Sequence, residues 1–204
     1  MAHALPAAPP APSPWVVRFA PLIAPGARVL DLACGEGRHA RFLAGAGHPV
    51  LAVDRDAAAL AALGTHPGVV TRQVDLEAGA WPLAGERFAA IVVTRYLYRP
   101  ILGALVAALD DDGILLYETF AAGNEAYGRP ANPEFLLRED ELLASFGGRL
   151  RVVAFEQGRV QGDGRACVLQ RIAAVGRARA WPPPLPEAAA GRDGPRGSST
   201  GGIG

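Results

Sequence analysis

The sequence predicts an α/β fold: a mostly parallel sheet with helices packed on it, finished at its C-terminal end by an antiparallel hairpin. Three observations predict it. Apolar runs at 29–33, 50–54, 69–75, 88–94 and 114–118 alternate with stretches of helical spacing, which is the order of repeated βαβ units. The first run enters its helix through Gly35 and Gly37, where the backbone can turn sharply. The last two runs, 150–155 and 166–172, are joined over a short polar turn, 158–164, as a hairpin requires.

Each element has its own signal. Residues 1–12 hold four prolines and read as a disordered leader. Ser13-Pro14 starts a short helix, an N-cap followed by Pro at the first helical position, with Trp15, Val16 and Phe19 as its apolar face. Helical spacing resumes after Gly37, with Ala40, Leu43 and Ala44 on one face, and again at 57–63, where Asp56 is placed as N-cap. The run 88–94 is apolar almost throughout, which suits the centre of a parallel sheet. A helix from Pro100 carries Ile101, Leu105, Ala108 and Leu109 on one side, and Asp110 to Gly113 turns the chain into the fifth strand, Ile114–Glu118. Residues 119–138 are too long for an ordinary connection and read as a functional loop whose glycines let it close as a lid. A helix over about 138–146 stops at Gly147-Gly148, and Cys167 falls in the core of the closing hairpin. The domain is expected to span 13–176, with 177–204 as a disordered tail.

A strand, a glycine turn and a helix are the front half of a nucleotide-binding unit, where free N–H groups face the ligand. Gly35, Gly37 and Ala40 fit the G-x-G-x-x-G/A spacing of dinucleotide enzymes. Asp31, inside the same strand, argues otherwise. It would repel a pyrophosphate and attract a ligand that carries an ammonium group. A strand–turn–helix without any ligand leaves that buried acid unexplained. Asp54 stands 19 residues after Gly35, where an acid accepts ribose hydroxyls in either nucleotide fold. Asp75 closes the third strand and could equally begin a surface turn.

The stretch Asp31-Leu-Ala-Cys-Gly35-Glu-Gly37 resembles motif I of the class I S-adenosylmethionine-dependent methyltransferases, D/E-x-G-x-G-x-G, with Ala33 in place of the first glycine. The likeness covers roughly residues 13–175 and is nearest to the small bacterial tellurite-resistance-type enzymes. It implies a Rossmann-like seven-stranded sheet of order 3-2-1-4-5-7-6. It also implies that Asp31 and the Gly35–Gly37 backbone hold the methionine part of the cofactor, Asp54 the ribose, and Asp75 with Leu76 the adenine edge, with Ala33, Cys34 and Arg55 also among the cofactor-binding residues. Thr94, Arg95 and Tyr96 would flank the methyl group, the first two as cofactor-binding residues. The Asn/Asp/Ser-Pro-Pro-Tyr/Phe signature of amino-methyltransferases is absent after the fourth strand. Tyr96, Tyr98, Arg99, Glu118, Tyr127, Arg129 and Asn132 are the expected acceptor-site residues. Tyr96 and Glu118 are the candidates for catalysis, with Glu118 as base where the acceptor must lose a proton.

Composition narrows the class. Formal net charge is +0, which argues against a dedicated nucleic-acid binder. All 20 basic residues are Arg, the mark of a GC-rich bacterial genome. No run is long and apolar enough to span a bilayer, the N-terminus lacks the layout of a signal peptide, and the two cysteines lie far apart, so a cytoplasmic enzyme without a disulfide framework or metal site is expected. The expected function is methyl transfer from S-adenosylmethionine to a small acceptor. An NAD(P)-dependent oxidoreductase and a non-catalytic S-adenosylmethionine-binding module are the alternatives.

Overall fold

The computed structural model describes residues 10–161 and 165–186; the expected leader over 1–9 and the tail beyond 186 lie outside them. Seven strands form one sheet in the order β3-β2-β1-β4-β5-β7-β6. The first five are parallel: β1 (Val29–Leu32), β2 (Val50–Asp54), β3 (Val69–Gln73), β4 (Phe88–Thr94) and β5 (Leu109–Phe120). β7 (Ala166–Val175) runs antiparallel to both β5 and β6 (Arg151–Gln161). This is the sheet that motif I implied.

Alternation of side chains along the strands divides the core between the two faces. On one face Leu30, Leu32, Ile91, Val93, Leu115 and Tyr117 pack under α4 (Leu102–Ala108) and α5 (Glu141–Phe146). On the other Val29, Ala52, Ala90, Val92, Ile114 and Leu116 pack under α1 (Pro14–Phe19), α2 (Arg38–Gly45) and α3 (Ala57–Leu63). The same parity places Asp31, Thr94 and Glu118 on the α1–α2 face, at or near the carboxyl ends of β1, β4 and β5.

Several elements depart from their expected bounds. Asp110 to Gly113 does not end in a turn. It bulges out within β5, where pairing jumps from Phe88–Leu109 to Ala90–Ile114. Gly113 is required by close approach, since a Cβ there would sit 2.9 Å from the Ala89 carbonyl oxygen. β6 runs on to Gln161 because its pairing with β7 continues beyond the core, so Gly158 lies in a strand and not in the turn. The expected tail begins too early. Arg177 donates to the carbonyls of Arg149 and Gly148, Arg179 to Asp112 and Leu22, and Arg151 lies over the Trp181 ring, so residues 177–186 are held on the body.

The long connection after β5 is also held. Ala122 donates to Leu137, and Leu137 to Phe120, at its two ends. Asn124 spans its middle, donating to Pro130 and accepting from the Val168 amide. Arg99 forks onto Glu141, Nε to Oε1 at 2.7 Å and Nη2 to Oε2 at 3.0 Å, and also donates to the carbonyls of Glu134 and Leu136. The loop expected to close as a lid is thus a wall pinned at several points.

Arg99→Ala should cost about 1–3 kcal/mol of stability, because it strips charge-assisted bonds from two carbonyls and a half-buried carboxylate. Denaturant unfolding measures the loss. Limited proteolysis should find new cleavage within 119–138, and an unchanged digestion pattern would contradict the pinning.

Candidate functional site

The carboxyl ends of β1 and β4 meet at the switch point of the sheet, where crossovers leave toward opposite faces and open a crevice. Ala33 (φ 53°) and Arg95 (φ 56°), the residues just beyond these strands, are both left-handed. Such backbone costs about 1–3 kcal/mol per non-glycine residue and persists only where its surroundings hold it. Between them lies a cleft of about 410 Å3, lined by Ala33, Asp54, Arg55, Asp75, Leu76 and Glu77 on one side and Arg95, Tyr96 and Phe120 on the other. That volume is in the range of small-molecule sites.

The glycine turn is fastened to the end of β2. The Gly35 amide donates to Asp54 Oδ2 at 2.8 Å, and Oδ1 accepts the Asp56 amide at 2.9 Å. Gly37 (φ 75°) opens α2, and a Cβ there would meet the Leu63 side chain at 2.6 Å. Asp75 Oδ1 accepts the Glu77 amide at 2.9 Å. A carboxylate has about four acceptor positions, so Asp54 and Asp75 both keep some for a ligand. Across the cleft, the Tyr96 hydroxyl donates to Glu77 Oε1 at 3.4 Å, and burial raises the phenol well above its ordinary range.

Other expected residues serve the walls. Asp31 is 1% exposed and does not line the cleft. It lies on the α2 side, where the Ala40 amide and Arg38 favour its charge, while its Oδ2 has no hydrogen-bond partner among the described residues. Cys34 is buried with its thiol pushed upward by desolvation, and it too lies outside the lining. Thr94 Oγ1 is 3.4 Å from His39 Nδ1. Glu118 is buried as well: its Oε1 accepts from the Ser13 hydroxyl at 2.8 Å and its Oε2 lies 2.6 Å from Arg171 Nε, an ion pair whose alignment is poor for a hydrogen bond. Arg99 is spent on Glu141, and Tyr98 packs against the α4–α5 core. Tyr127 and Arg129 line a second cavity that shares Arg95 and Phe120 with the cleft. Asn132 caps Glu134 and borders a shallow depression beside Arg129.

Ser13, His39, Glu77, Phe120 and Arg165 were not singled out as site residues from the sequence. The sequence marks Ser13 only as an N-cap. It is also a knot: its amide donates to His39 Nε2 at 3.1 Å, its hydroxyl to Glu118, and its Oγ accepts the Trp15 amide. Accepting at Nε2 leaves the His39 proton on Nδ1, facing Thr94. Burial, and then Arg38 and Arg95, lower His39 from 6.5 to about 3, so the ring stays neutral.

Comparison with known proteins follows this geometry. Residues 29–111 match the family model described as a methyltransferase domain. TehB from Haemophilus influenzae superposes with a TM-score of 0.66 at 22% identity, over 79% of this chain and 61% of that one. The chain therefore spans about three fifths of the length of that protein. A TehB-like SAM-dependent methyltransferase from Corynebacterium glutamicum gives a TM-score of 0.56 at 21% identity, covering 80% and 88%. A Burkholderia thailandensis 1,6-didemethyltoxoflavin-N1-methyltransferase gives 0.60 at 22%, covering 80% and 76%. The comparison with curated proteins gives no match. Among the described residues, no helix is long and apolar enough to cross a membrane.

Burial raises Asp31 from 3.8 to about 7, with Ala40 and Arg38 opposing and Asp54 reinforcing. The folded protein therefore holds a proton that the unfolded chain releases. Stability should fall as pH rises from about 4 to about 7, and the penalty is complete above that window. Asp31→Asn removes the titration and should gain on the order of a few kcal/mol over wild type at about pH 8, with little gain near pH 4. Unfolding measured at both pH values checks it; a constant difference would contradict it.

Proposed function

We propose that the chain is a class I S-adenosylmethionine-dependent methyltransferase and that it transfers the methyl group of S-adenosylmethionine to a small-molecule acceptor. The observation that carries the proposal is the cleft at the switch point, where Asp54, Asp75 and the turn at Gly35 converge on one wall. The donor set fits the cofactor. Asp54 has acceptor positions left for two hydroxyls, and Asp75 beside the Leu76 backbone suits an adenine edge. Ala33 and the turn after it offer backbone to the methionine part.

When bound, S-adenosylmethionine supplies an electrophilic methyl carbon on sulfonium, which gains a bond to the acceptor as the C–S electron pair returns to sulfur. This chain's residues orient and enclose. Arg95 and Phe120, shared by the cleft and the second cavity, mark where an acceptor meets the methyl group. Tyr96, kept protonated by burial, gives its hydroxyl to Glu77 and is not a base at neutral pH. Glu118 is held by Ser13 and Arg171, and both His39 nitrogens are engaged. Among the described residues, neither Glu118 nor His39 is therefore free to serve as a base at the junction. The acceptor that suits this site brings its own lone pair, and the enzyme acts by alignment and exclusion of water. A small acceptor agrees with the enclosed walls and with the Burkholderia neighbour, which carries 1,6-didemethyltoxoflavin.

Asp54→Ala should weaken S-adenosylhomocysteine binding by about 1.5–3 kcal/mol, the range for bonds to a charged group. It also frees the Gly35 and Asp56 amides, so a modest loss of melting temperature should accompany it. Calorimetry below the transition reads the affinity. Unchanged affinity, or tighter binding of NAD or NADP by the wild type, would defeat the assignment.

A further inference from the structure

Beside the cleft, and sharing Arg95 and Phe120 with it, lies a second cavity of about 210 Å3. Its charge differs from that of the cleft. The cleft carries Asp54, Asp75 and Glu77 against Arg55 and Arg95. The second cavity carries Arg95, Arg129 and Arg165, with no carboxylate in its lining among the described residues. A chain of formal net charge +0 has thus gathered guanidinium groups in the cavity that adjoins the cleft.

These arginines come from separate elements: Arg95 follows β4, Arg129 sits on the pinned loop, and Arg165 directly precedes β7. The loop and the hairpin approach each other here, since a Cβ on Gly128 would lie 3.5 Å from Arg165 Nη1. Asn124 is not available to a ligand, because both ends of its amide hold backbone. Tyr127, Phe120 and Ala166 supply ring and methyl surface between the charges. The space equals roughly seven waters of ~30 Å3 each, so it takes an organic body as well as an anionic group. Guanidinium is matched in shape to a carboxylate, which it grips through two parallel bonds.

We propose that the acceptor is a small organic acid, with its carboxylate held between Arg129 and Arg165 and its nucleophilic atom directed past Phe120 toward the cleft. The inference rests on the methyltransferase reading for the identity of the cleft. The carboxylate is a handle and not the reacting group. It orients an acceptor whose nucleophile neither Glu118 nor His39, both engaged, is free to deprotonate.

The test uses the full chain saturated with S-adenosylhomocysteine. Thermal shifts are recorded with benzoate, 4-hydroxybenzoate and 3-mercaptopropionate, each beside its uncharged amide, and with selenite. At least one acid should give a saturable shift, with its amide at least about tenfold weaker. Arg129→Gln with Arg165→Gln should weaken that acid at least about tenfold and leave cofactor affinity within about twofold. Both arginines are exposed, so the variants should fold, and the single variants give the same reading if the double does not. The proposal is overturned if no acid binds, if amides bind as well as acids, if the variants keep wild-type acid affinity, or if selenite alone binds. Failure of wild type to bind S-adenosylhomocysteine would strike the methyltransferase reading instead, and the acid–amide comparison without cofactor would still decide the charge requirement.

Discussion

Much of the site hangs on Ser13. One residue caps α1 with its Oγ, gives its amide to His39 and gives its hydroxyl to Glu118. The constraint behind it is that Asp31, His39 and Glu118 are nearly or fully removed from water on one face of the sheet. Buried polar groups cost about 1–3 kcal/mol each when left unmatched, and charged ones more. Ser13 supplies matches for two of them, and Arg171 supplies the charge that Glu118 needs. Lifting α1 would strand His39 and Glu118 together, so the start of the folded domain is locked to the carboxyl ends of its central strands. Breaking one member of such a buried set costs more than the set contributes as a whole.

The sheet was legible because apolar runs, glycine turns and caps all agree on it. Asp56 caps α3 through Ala58 and Ala59, and Gly37 opens α2, as local chemistry requires. Strand ends were less legible. Where β5 and β6 run past their apolar stretches, pairing partners decide the length, and partners are not local information. The tail was misread for a related reason: Arg177 and Arg179 look like solvated charge in sequence, yet their targets are carbonyls more than 25 residues away.

The site was legible in part. The acids at the ends of β2 and β3 line the cleft because strand ends are where a parallel sheet exposes side chains to a ligand. Asp31 and Glu118 were expected there as well, but parity along β1 and β5 turns both toward α1 and α2. The signal was in the sequence, since Val29, Asp31 and Ala33 alternate with Leu30 and Leu32; which set faces which layer of helices was not. His39 lacked any local signal, because its partners Ser13 and Thr94 come from the N-terminal segment and from β4.

A division of charge runs through the finished site. Carboxylates gather at and beyond the ends of β2 and β3, where under the proposed function they accept from a nucleoside. Guanidinium groups gather where the loop meets β7. Arg95 belongs to both spaces, held in left-handed backbone by the pairing of its amide with the Glu118 carbonyl at 2.9 Å. Because Glu118 is itself fixed by Ser13 and Arg171, the backbone of Arg95 is placed by the same network that docks α1. The cleft, the second cavity and the N-terminal helix are therefore mechanically joined at one residue. The loop, fastened by Arg99 and Asn124, then needs no large motion to define the acceptor space: discrimination can come from the shape and charge of fixed walls, and a substrate that misses the arginines has little else polar to hold it.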